Sequence, residues 1–389
     1  MYWVLREGRV LVKVPPLDKA VAEQRLEPAW LPVFYNPRME FNRDISVVAL
    51  QVYVNDYAPR KPVIGVEPLS ATGVRALRYA IEVEDVLRVY ASDIDYDACK
   101  LIEENVSLNK AWDKVSIYCG DANALMRRLR EAGVPVLFVD LDPYGSPVFF
   151  LDSALALVGN GGLLAATATD TAVLEGSKSS AALRKYWARL RKIPQSREVA
   201  IRALLAHVAR IAAMHDRYVE PLLSLWVDYY VRVFVRVGRG ARRATRMLED
   251  KIRYLLVCND TGYVSFDESE IEGCHSVDEL GPLWAGELGS RLFAEKLGAL
   301  VESRFDYLRT RRRILRILGL VLEELELQEA PAQRLDYIAS RLRRSVPSRD
   351  SVMNKLRGMG FKAVRTHFDP LAVRTDAPMR ELVSAIAEA

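Results

Sequence analysis

Short apolar runs alternate with stretches of helical periodicity between residues 63 and 237. Short apolar runs are typical of buried strands, and apolar side chains spaced three or four positions apart predict helices that cover a sheet. The pattern predicts strands at residues 63–67, 86–93, 115–119, 136–140 and 162–168. It predicts helices at residues 74–83, 96–109, 122–132 and 198–214. This alternation favours an α/β fold with a doubly wound parallel sheet.

A further strand is predicted at residues 228–237, where the side chains follow a strict period of two. Tyr230, Arg232, Phe234 and Arg236 alternate there with valines at the intervening positions. A period of two places successive side chains on opposite faces of a sheet. We therefore expect a strand with one buried face and one polar face.

The two glycines around Arg239, followed by a basic stretch, indicate that a first domain ends near residue 245. We expect residues 1–245 to form the α/β domain, with an extension over residues 1–45 that contains a hairpin near residues 4–14. Residues 246–389 are expected to form a smaller α+β domain. In that domain we predict an irregular segment at 259–289, a long charged helix at 303–328 and a winged-helix-like module near 330–370.

The composition argues against a membrane or secreted protein. No apolar run approaches the roughly 18 to 20 residues of a membrane-spanning helix, and the first residues lack the pattern of a signal peptide. The four cysteines are sparse and scattered, which argues against a disulfide framework: Cys99, Cys119, Cys258 and Cys274. We therefore expect a cytoplasmic protein in a reducing compartment, without a membrane anchor.

The histidines and cysteines do not predict a metal site. His207 and His215 lie more than two turns apart on one predicted helix, which is too far to share a metal ion. Cys258, Cys274 and His275 do not complete the four-ligand set of a structural zinc site. We expect no metal.

Basic residues concentrate in four stretches, at residues 184–197, 239–246, 309–316 and 341–344. The net charge is only +4, so the distribution of charge is more informative than its sum. Clusters of this kind neutralise the phosphates of an extended polyanion such as RNA. Neighbouring acids leave open the alternative of solvated helix faces: Glu323, Glu324 and Glu326.

The most informative segment is residues 136–147, in which an apolar strand stops at Asp142, Pro143 and Tyr144. In an open α/β sheet, ligands bind beyond the carboxyl ends of the strands. A carboxylate and a backbone carbonyl at such a turn would accept the hydrogens of an amino group on an aromatic ring, while Pro143 stiffens the turn and Tyr144 stacks on the ring. The alternative is an ordinary surface turn, because Asp-Pro commonly ends strands.

Three other predicted strands also end at acidic residues. Glu67 ends the first strand, Asp93 ends the second, and Asp121 and Ala122 follow the third. The turn after Glu67 lacks the glycine patterns that hold phosphates, whereas a carboxylate after the second strand suits the hydroxyls of a ribose. These strand ends describe a pocket for an adenosine without phosphates, which S-adenosylmethionine fits better than NAD. Each acid is alternatively a helix cap.

Six segments resemble blocks of the archaeal and eukaryotic tRNA guanosine N2-dimethyltransferases. They are FYNPRMEFNRD at 34–44, LSATGVR at 69–75, DLDPYGSP at 140–147, TATD at 167–170, GPLWAG at 281–286 and RTHFDP at 365–370. They run in the order of that family, from about residue 33 to 378. The resemblance implies a Rossmann-like, class I S-adenosylmethionine-dependent methyltransferase domain and a family-specific carboxyl-terminal domain that binds tRNA. It also implies transfer of one or two methyl groups to the exocyclic N2 of guanosine 26.

The resemblance assigns Arg43, Arg75, Asp93 and Ala122 to the cofactor pocket. The two arginines suit the methionine carboxylate, because guanidinium groups form paired hydrogen bonds with carboxylates.

The same resemblance assigns Asp142 to the guanine amine, and Phe34 and Tyr144 to the two faces of a base flipped out of the tRNA. Asp140 is expected to support the strand end, although an exchange of roles with Asp142 stays open.

Two other functions are compatible with parts of this pattern. Adenine N6-methyltransferases acting on RNA or DNA have a related turn, but usually with two prolines before the aromatic residue, whereas Tyr144 follows a single proline. A non-catalytic RNA-binding subunit would explain the basic stretches, but not the intact Arg43, Asp93 and Asp142. We expect direct methyl transfer without an obligatory partner protein.

Overall fold

The computed structural model describes residues 2–16 and 30–389, so residues 17–29 of the expected extension lie outside the described part. An amino-terminal hairpin consists of β1 (Trp3–Glu7) and β2 (Val10–Val14). The strands of the main sheet are β3 (Val63–Glu67), β4 (Val86–Asp93), β5 (Val115–Cys119), β6 (Val136–Leu141), β7 (Gly162–Ala168), β8 (Arg217–Val227) and β9 (Tyr230–Arg239). Their order is β5-β4-β3-β6-β7-β9-β8. The strands β3 to β7 are parallel, and β9 and β8 add an antiparallel hairpin at one edge.

Helices cover both faces of this sheet. In chain order they are α1 (Glu40–Asp56), α2 (Val74–Glu82), α3 (Tyr96–Leu108), α4 (Ala122–Glu131), α5 (Val148–Leu157), α6 (Thr171–Leu174), α7 (Ser179–Tyr186) and α8 (Ser196–Met214). One apolar core joins the sheet to α4, α5 and α8, and the other joins it to α1, α2 and α3. The doubly wound α/β fold and its five parallel strands are therefore confirmed.

Helix α1 was not predicted. It is buried over most of its length and carries polar residues such as Asn42, Arg43 and Asp44 among apolar ones. A helix that is covered on most sides has no apolar stripe of helical period, which is why the sequence pattern does not show it.

The expectation of a polar face on β9 is wrong for residues 230–235, because both faces of the strand are buried there. Its valines face the core that contains α8, while Tyr230 and Phe234 lie in the core that contains α1. Arg232 is fully buried and donates to both carboxylate oxygens of Asp140, with Nη1–Oδ1 2.6 Å and Nη2–Oδ2 2.7 Å. A guanidinium group paired in this way is compatible with a buried strand.

The second half of the chain adds two small antiparallel sheets and six helices. It contains α9 (Ala241–Lys251), β10 (Ile252–Cys258), β11 (Val264–Ser265), β12 (Val277–Trp284), α10 (Arg291–Ser303), α11 (Arg311–Glu324), β13 (Ala332–Arg334), α12 (Leu335–Arg341), α13 (Arg349–Gly358), β14 (Ala363–Arg365), β15 (Ala372–Thr375) and α14 (Met379–Ala387). The sheet orders are β11-β10-β12 and β13-β15-β14. The order helix, turn, helix, strand appears at α12, α13 and β14, as predicted. Within the described part of the chain, each helix is too short or too polar to cross a bilayer.

The long charged helix predicted at 303–328 is confirmed only for residues 311–324, which form α11, and most of the flanking residues are not helical. The chain turns between α10 and α11, where Phe305 and Leu308 point into the core that contains α1. Both helices pack on that core, so this part of the second half covers the first sheet. The helix α9 also runs across residue 245, the expected boundary.

The expectation about the cysteines is also wrong, because the structure contains two disulfides. Cys99 of α3 is bonded to Cys119 at the end of β5. Cys258 at the end of β10 is bonded to Cys274 in the loop before β12. Each pair is brought together by packing between elements, which the spacing of cysteines in the sequence does not reveal.

Replacing Arg232 with alanine is expected to destabilise the protein by about 3–5 kcal/mol, because it leaves the buried Asp140 without its main cation. Arg236 lies on the same face of β9, is half-exposed and pairs with Glu220, so Arg236→Ala is expected to cost no more than about 1 kcal/mol. Equilibrium unfolding in urea measures both variants. Equal losses would contradict the structural role of Arg232.

Candidate active site

The turn after β6 is fixed by contacts with the end of β7. The Gly145 N–H donates to Thr169 Oγ1 at 2.7 Å, and the Thr169 N–H donates to the Gly145 carbonyl at 2.8 Å. Ser146 Oγ lies 2.8 Å from Tyr186 Oη, which donates to Asp170 at 2.7 Å. The two strand ends and α7 therefore form one rigid support for Asp142, as active sites at the ends of parallel strands require.

The two carboxylates at the end of β6 have different environments. Asp140 is buried and accepts hydrogen bonds from Arg232 and from the Tyr79 hydroxyl. Burial alone would raise the pKa of the Asp140 carboxyl, but the positive charges of Arg232 and Arg75 hold it below its usual value. Asp142 is partly exposed, with 16% of its side chain accessible. Asp142 is therefore the carboxylate that a substrate can reach.

Arg75 of α2 lies between Glu67, a candidate cofactor residue, and Asp142, the candidate residue for the substrate amine. Its Nη2 donates to Asp142 Oδ2, and its Nη1 donates to Asn42 Oδ1 at 2.9 Å and to Ser46 Oγ at 3.0 Å. Its Nε lies 4.0 Å from Glu67 Oε1. Arg75 thus fixes the orientation of the Asp142 carboxylate, a role that the sequence did not indicate.

Phe34 and Tyr144 lie beside each other at the opening of the site. Their ring centroids are 6.2 Å apart, and the ring planes are inclined by 59°. Tyr144 is 71% exposed, whereas Phe34 is half-buried. The structure therefore brings the two predicted aromatic residues together, and a base between them requires one ring to rotate toward a parallel arrangement.

Asp93 lies where the ends of β3, β4 and β5 meet. Its carboxylate accepts the Ala71 N–H at 2.9 Å and the Asp95 N–H at 3.0 Å. Its carbonyl accepts the Gly120 N–H at 2.8 Å. Each carboxylate oxygen accepts more than one hydrogen bond, so Asp93 retains capacity for a ribose hydroxyl.

Asp121 and Ala122 differ from Asp93 in their exposure and contacts. Asp121 is exposed and caps α4 by accepting the Ala124 N–H at 2.8 Å, which matches its alternative assignment as a helix cap. Ala122 is buried as the first residue of that helix.

Glu67 is buried at the end of β3, and its Oε2 has no hydrogen-bond partner among the residues that the structure describes. Burial raises the pKa of the Glu67 carboxyl to about 8, although Arg75 lowers it in part. A buried carboxylate oxygen of this kind needs a donor. The ammonium or hydroxyl groups of S-adenosylmethionine are donors of the required kind, so the residues here fit that cofactor.

Arg43 contacts Glu7, a residue that the sequence did not single out. The Nε of Arg43 donates to Glu7 Oε1 at 2.6 Å, its Nη2 donates to Oε2 at 2.7 Å, and both Nη atoms reach the Asn36 carbonyl. Burial would raise the pKa of the Glu7 carboxyl, but Arg43 and Arg78 hold it at about 2. The ion pair between Glu7 and Arg43 therefore fixes the β1–β2 hairpin to α1. The assignment of Arg43 to the methionine carboxylate stays a prediction.

The strand order and this site define a Rossmann-like methyltransferase dependent on S-adenosylmethionine. The structure of Trm1 from Pyrococcus horikoshii in complex with S-adenosyl-L-methionine superposes with a TM-score of 0.85 at 32% identity, covering 98% of this chain and 99% of that chain. The family model for N2,N2-dimethylguanosine tRNA methyltransferases matches residues 8–387. The chain therefore belongs to that family, and the resemblance drawn from the six segments is confirmed.

Two archaeal relatives agree with this assignment over nearly the whole chain. The tRNA (guanine(26)-N(2))-dimethyltransferase of Aeropyrum pernix is 42% identical over 395 residues, covering 99% of this chain and 96% of the relative. The protein of the same description from Saccharolobus solfataricus is 35% identical over 386 residues, covering 98% of this chain and 97% of the relative.

The raised pKa of Glu67 predicts a pH-dependent loss of stability. Between about pH 5 and 8 the folded protein keeps a proton on Glu67, with its pKa of about 8, that the unfolded chain, at the ordinary value of 4.5, has released. The free energy of unfolding therefore decreases as pH rises through this range, and Glu67→Gln removes that contribution. Urea unfolding from pH 5 to 9 measures the difference; identical pH profiles of variant and wild type would contradict it.

The same substitution is expected to weaken binding of S-adenosylmethionine by about tenfold or more, because a charge-assisted hydrogen bond contributes about 1.5–3 kcal/mol. Calorimetric titration at pH 8.5, where Glu67 is largely ionised, measures the affinity. Glu103→Gln, an exposed change on α3, is the control and should leave the affinity unaltered.

Proposed function

We propose that this chain transfers one or two methyl groups from S-adenosylmethionine to the exocyclic N2 of guanosine 26 in tRNA, with Asp142 as the proton acceptor. Membership of the family supports the reaction and its substrate. The accessible carboxylate of Asp142, beside the rings of Phe34 and Tyr144, is the observation that supports the residue assignment.

The guanine amine is a weak nucleophile, because its lone pair is delocalised into the ring. The Asp142 carboxylate, oriented by Arg75, accepts one N2 hydrogen and aims the amine at the methyl group. When bound, S-adenosylmethionine supplies a methyl group on a positively charged sulfur, which keeps the electron pair of the broken bond. Asp142 then takes the proton that N2 loses. The residues contribute mainly position and orientation, together with this proton transfer.

Two of the four basic stretches contact elements next to this site. Helix α7 lies beside the turn after β6, with Lys185 Nζ 3.4 Å from Asp170 Oδ2. Arg313 of α11 pairs with Asp228 at 2.6 Å and lies 4.8 Å over the ring of Phe41 at the start of α1. We propose that these two stretches hold phosphates near the flipped base, since phosphate contacts position a nucleic acid on a protein.

The remaining assignments are proposals of the same kind. Residues 1–245 carry the methyl transfer and residues 246–389 bind tRNA, with α10 and α11 joining the two parts. The location that we propose is the cytoplasm, and it rests on tRNA as the substrate, because the two disulfides remove the argument from cysteine usage. We propose no obligatory partner protein.

Asp142→Asn is expected to lower kcat by about 10²- to 10⁴-fold, the usual contribution of a proton acceptor, and to leave binding of S-adenosylmethionine within about threefold. Unmodified tRNA transcripts and labelled cofactor, followed by nucleoside mass spectrometry, measure the activity. Glu131→Gln, an exposed change at the end of α4, is the control. Near wild-type turnover of the variant would contradict the role of Asp142, and label in N6-methyladenosine would favour an adenine methyltransferase.

Tyr144→Phe is expected to retain most activity, because stacking needs the ring and not the hydroxyl. Tyr144→Ala is expected to reduce kcat/KM for tRNA by about tenfold or more, since stacking of a base on an aromatic ring contributes about 1–3 kcal/mol. The same nucleoside assay compares the two variants. Equal activity of both would contradict the stacking role.

Arg312 and Arg316 are exposed on α11, without a partner among the described residues. Replacing both with alanine is expected to raise KM for tRNA and to reduce the dependence of log K on log salt by about two, because each arginine would neutralise one phosphate. The double variant Arg60→Ala, Arg127→Ala removes two exposed arginines outside the four basic stretches as the control. Equal salt dependence in the two double variants would contradict this surface.

A further inference from the structure

A cavity of about 630 Å³ lies at the edge of the main sheet where the parallel strands begin. Its wall is formed by the ends of α4 and α5, the turn into β8 and the start of α9. Strand β6 begins at Val136 in this wall and ends immediately before Asp142. At about 3.3 Å per residue, the cavity is roughly 20 Å from the methyl-transfer site, so it is a separate feature of the surface.

Three arginines line the cavity: Arg130 at the end of α4, Arg217 at the start of β8 and Arg239 at the end of β9. Arg217 and Arg239 are directly opposite each other in the pairing of β8 with β9. Like charges in opposite positions of an antiparallel pair are destabilising. Among residues 2–16 and 30–389, no hydrogen-bond or ion-pair partner contacts the guanidinium group of Arg130 or Arg239.

Arg217 has a structural role that accounts for only part of its charge. Its side chain is buried and donates to the carbonyls of Val158 and Ala156, which caps the carboxyl end of α5. Burial, together with the charges of Arg239 and Arg130, lowers the pKa of the Arg217 guanidinium to about 10. The protein therefore keeps three cations close together at a cost in electrostatic energy.

The other groups in the wall neutralise this charge only in part. His215 is turned toward Asp152, with Nε2 2.9 Å from Oδ1. Asp216 is exposed and is the one carboxylate among the described residues that line the cavity. The start of α9 adds positive character, because no side chain caps its first turn and Gly240 and Ala241 face the cavity. Uncapped helix amino termini favour anions.

We propose that this cavity binds a phosphate group, held by Arg130 and Arg239 against the buried charge of Arg217 and the start of α9. Guanidinium groups match the oxygens of phosphate in pairs, and a phosphate removes the repulsion among the three cations. The phosphate belongs either to the tRNA backbone or to a small phosphorylated compound. Binding here is independent of the residues assigned to methyl transfer.

Inorganic pyrophosphate is the probe for this site, and the test variant is Arg130→Gln with Arg239→Gln. Arg217 is left in place because it caps α5. The control is Arg60→Gln with Arg127→Gln, which removes two exposed arginines outside the cavity and outside the four basic stretches. Pyrophosphate at constant ionic strength is expected to raise the Tm of the wild type and the control, as any ligand of the folded state does. Calorimetry is expected to show a Kd at least tenfold higher for the test variant.

Two further measurements distinguish a ligand-binding role of these arginines from a structural role, and identify the source of the phosphate. Without pyrophosphate, the test variant is expected to have an equal or higher Tm than the wild type, because like-charge repulsion is relieved; a purely structural role of these arginines predicts a lower Tm. A rise in KM for tRNA in the test variant alone identifies a backbone phosphate as the ligand. Unchanged tRNA kinetics together with abolished pyrophosphate binding identifies a small compound.

The proposal is overturned if the test variant and the control bind both pyrophosphate and tRNA equally well. It is also overturned if chloride at matched ionic strength stabilises the wild type as much as pyrophosphate does. Calorimetry measures binding of pyrophosphate without turnover. The result can therefore be interpreted even if the methyl-transfer assignment fails.

Discussion

The pairing of Asp140 with Arg232 is the interaction on which the arrangement of the active site depends. Two carboxylates, Asp140 and Asp142, stand at the end of one strand, and both are within reach of Arg75. Arg232 binds both oxygens of the buried carboxylate, which leaves Arg75 to orient the exposed one. Taking a carboxylate out of water without such a partner costs several kcal/mol. The orientation of the Asp142 carboxylate therefore depends on a cation contributed by the antiparallel strand β9.

The parallel strands could be predicted because each is a local signal, a short apolar run that ends at a turn. Arg232 could not be predicted as buried, because its partner Asp140 is 92 residues away in sequence. The same holds for Arg43 and Glu7, which are 36 residues apart, and for the two disulfides. Local patterns indicate that a residue is placed on a strand or helix, whereas the compensation of a buried charge depends on which elements the fold brings together.

The position of the candidate residues could be predicted where they belong to turns that follow strands. Glu67, Asp93 and Asp142 all lie at the same edge of the sheet, as the rule for parallel strands predicts. Asp121 shares that position but caps α4, and the sequence alone did not separate capping from ligand binding. The link from Arg75 to Asp142 joins α2 to the turn after β6, and only the packing of that helix on the sheet reveals it.

The packing of α10 and α11 on α1 has a consequence for the recognition of so large a substrate. These helices belong to the second half of the chain, yet they share a core with the sheet that carries the site. A shared core leaves little freedom for a hinge between the two halves. In the proposed arrangement, in which the second half binds tRNA, packing sets the distance from the bound phosphate backbone to Asp142, so the base that lies at that distance is the one that reaches the site.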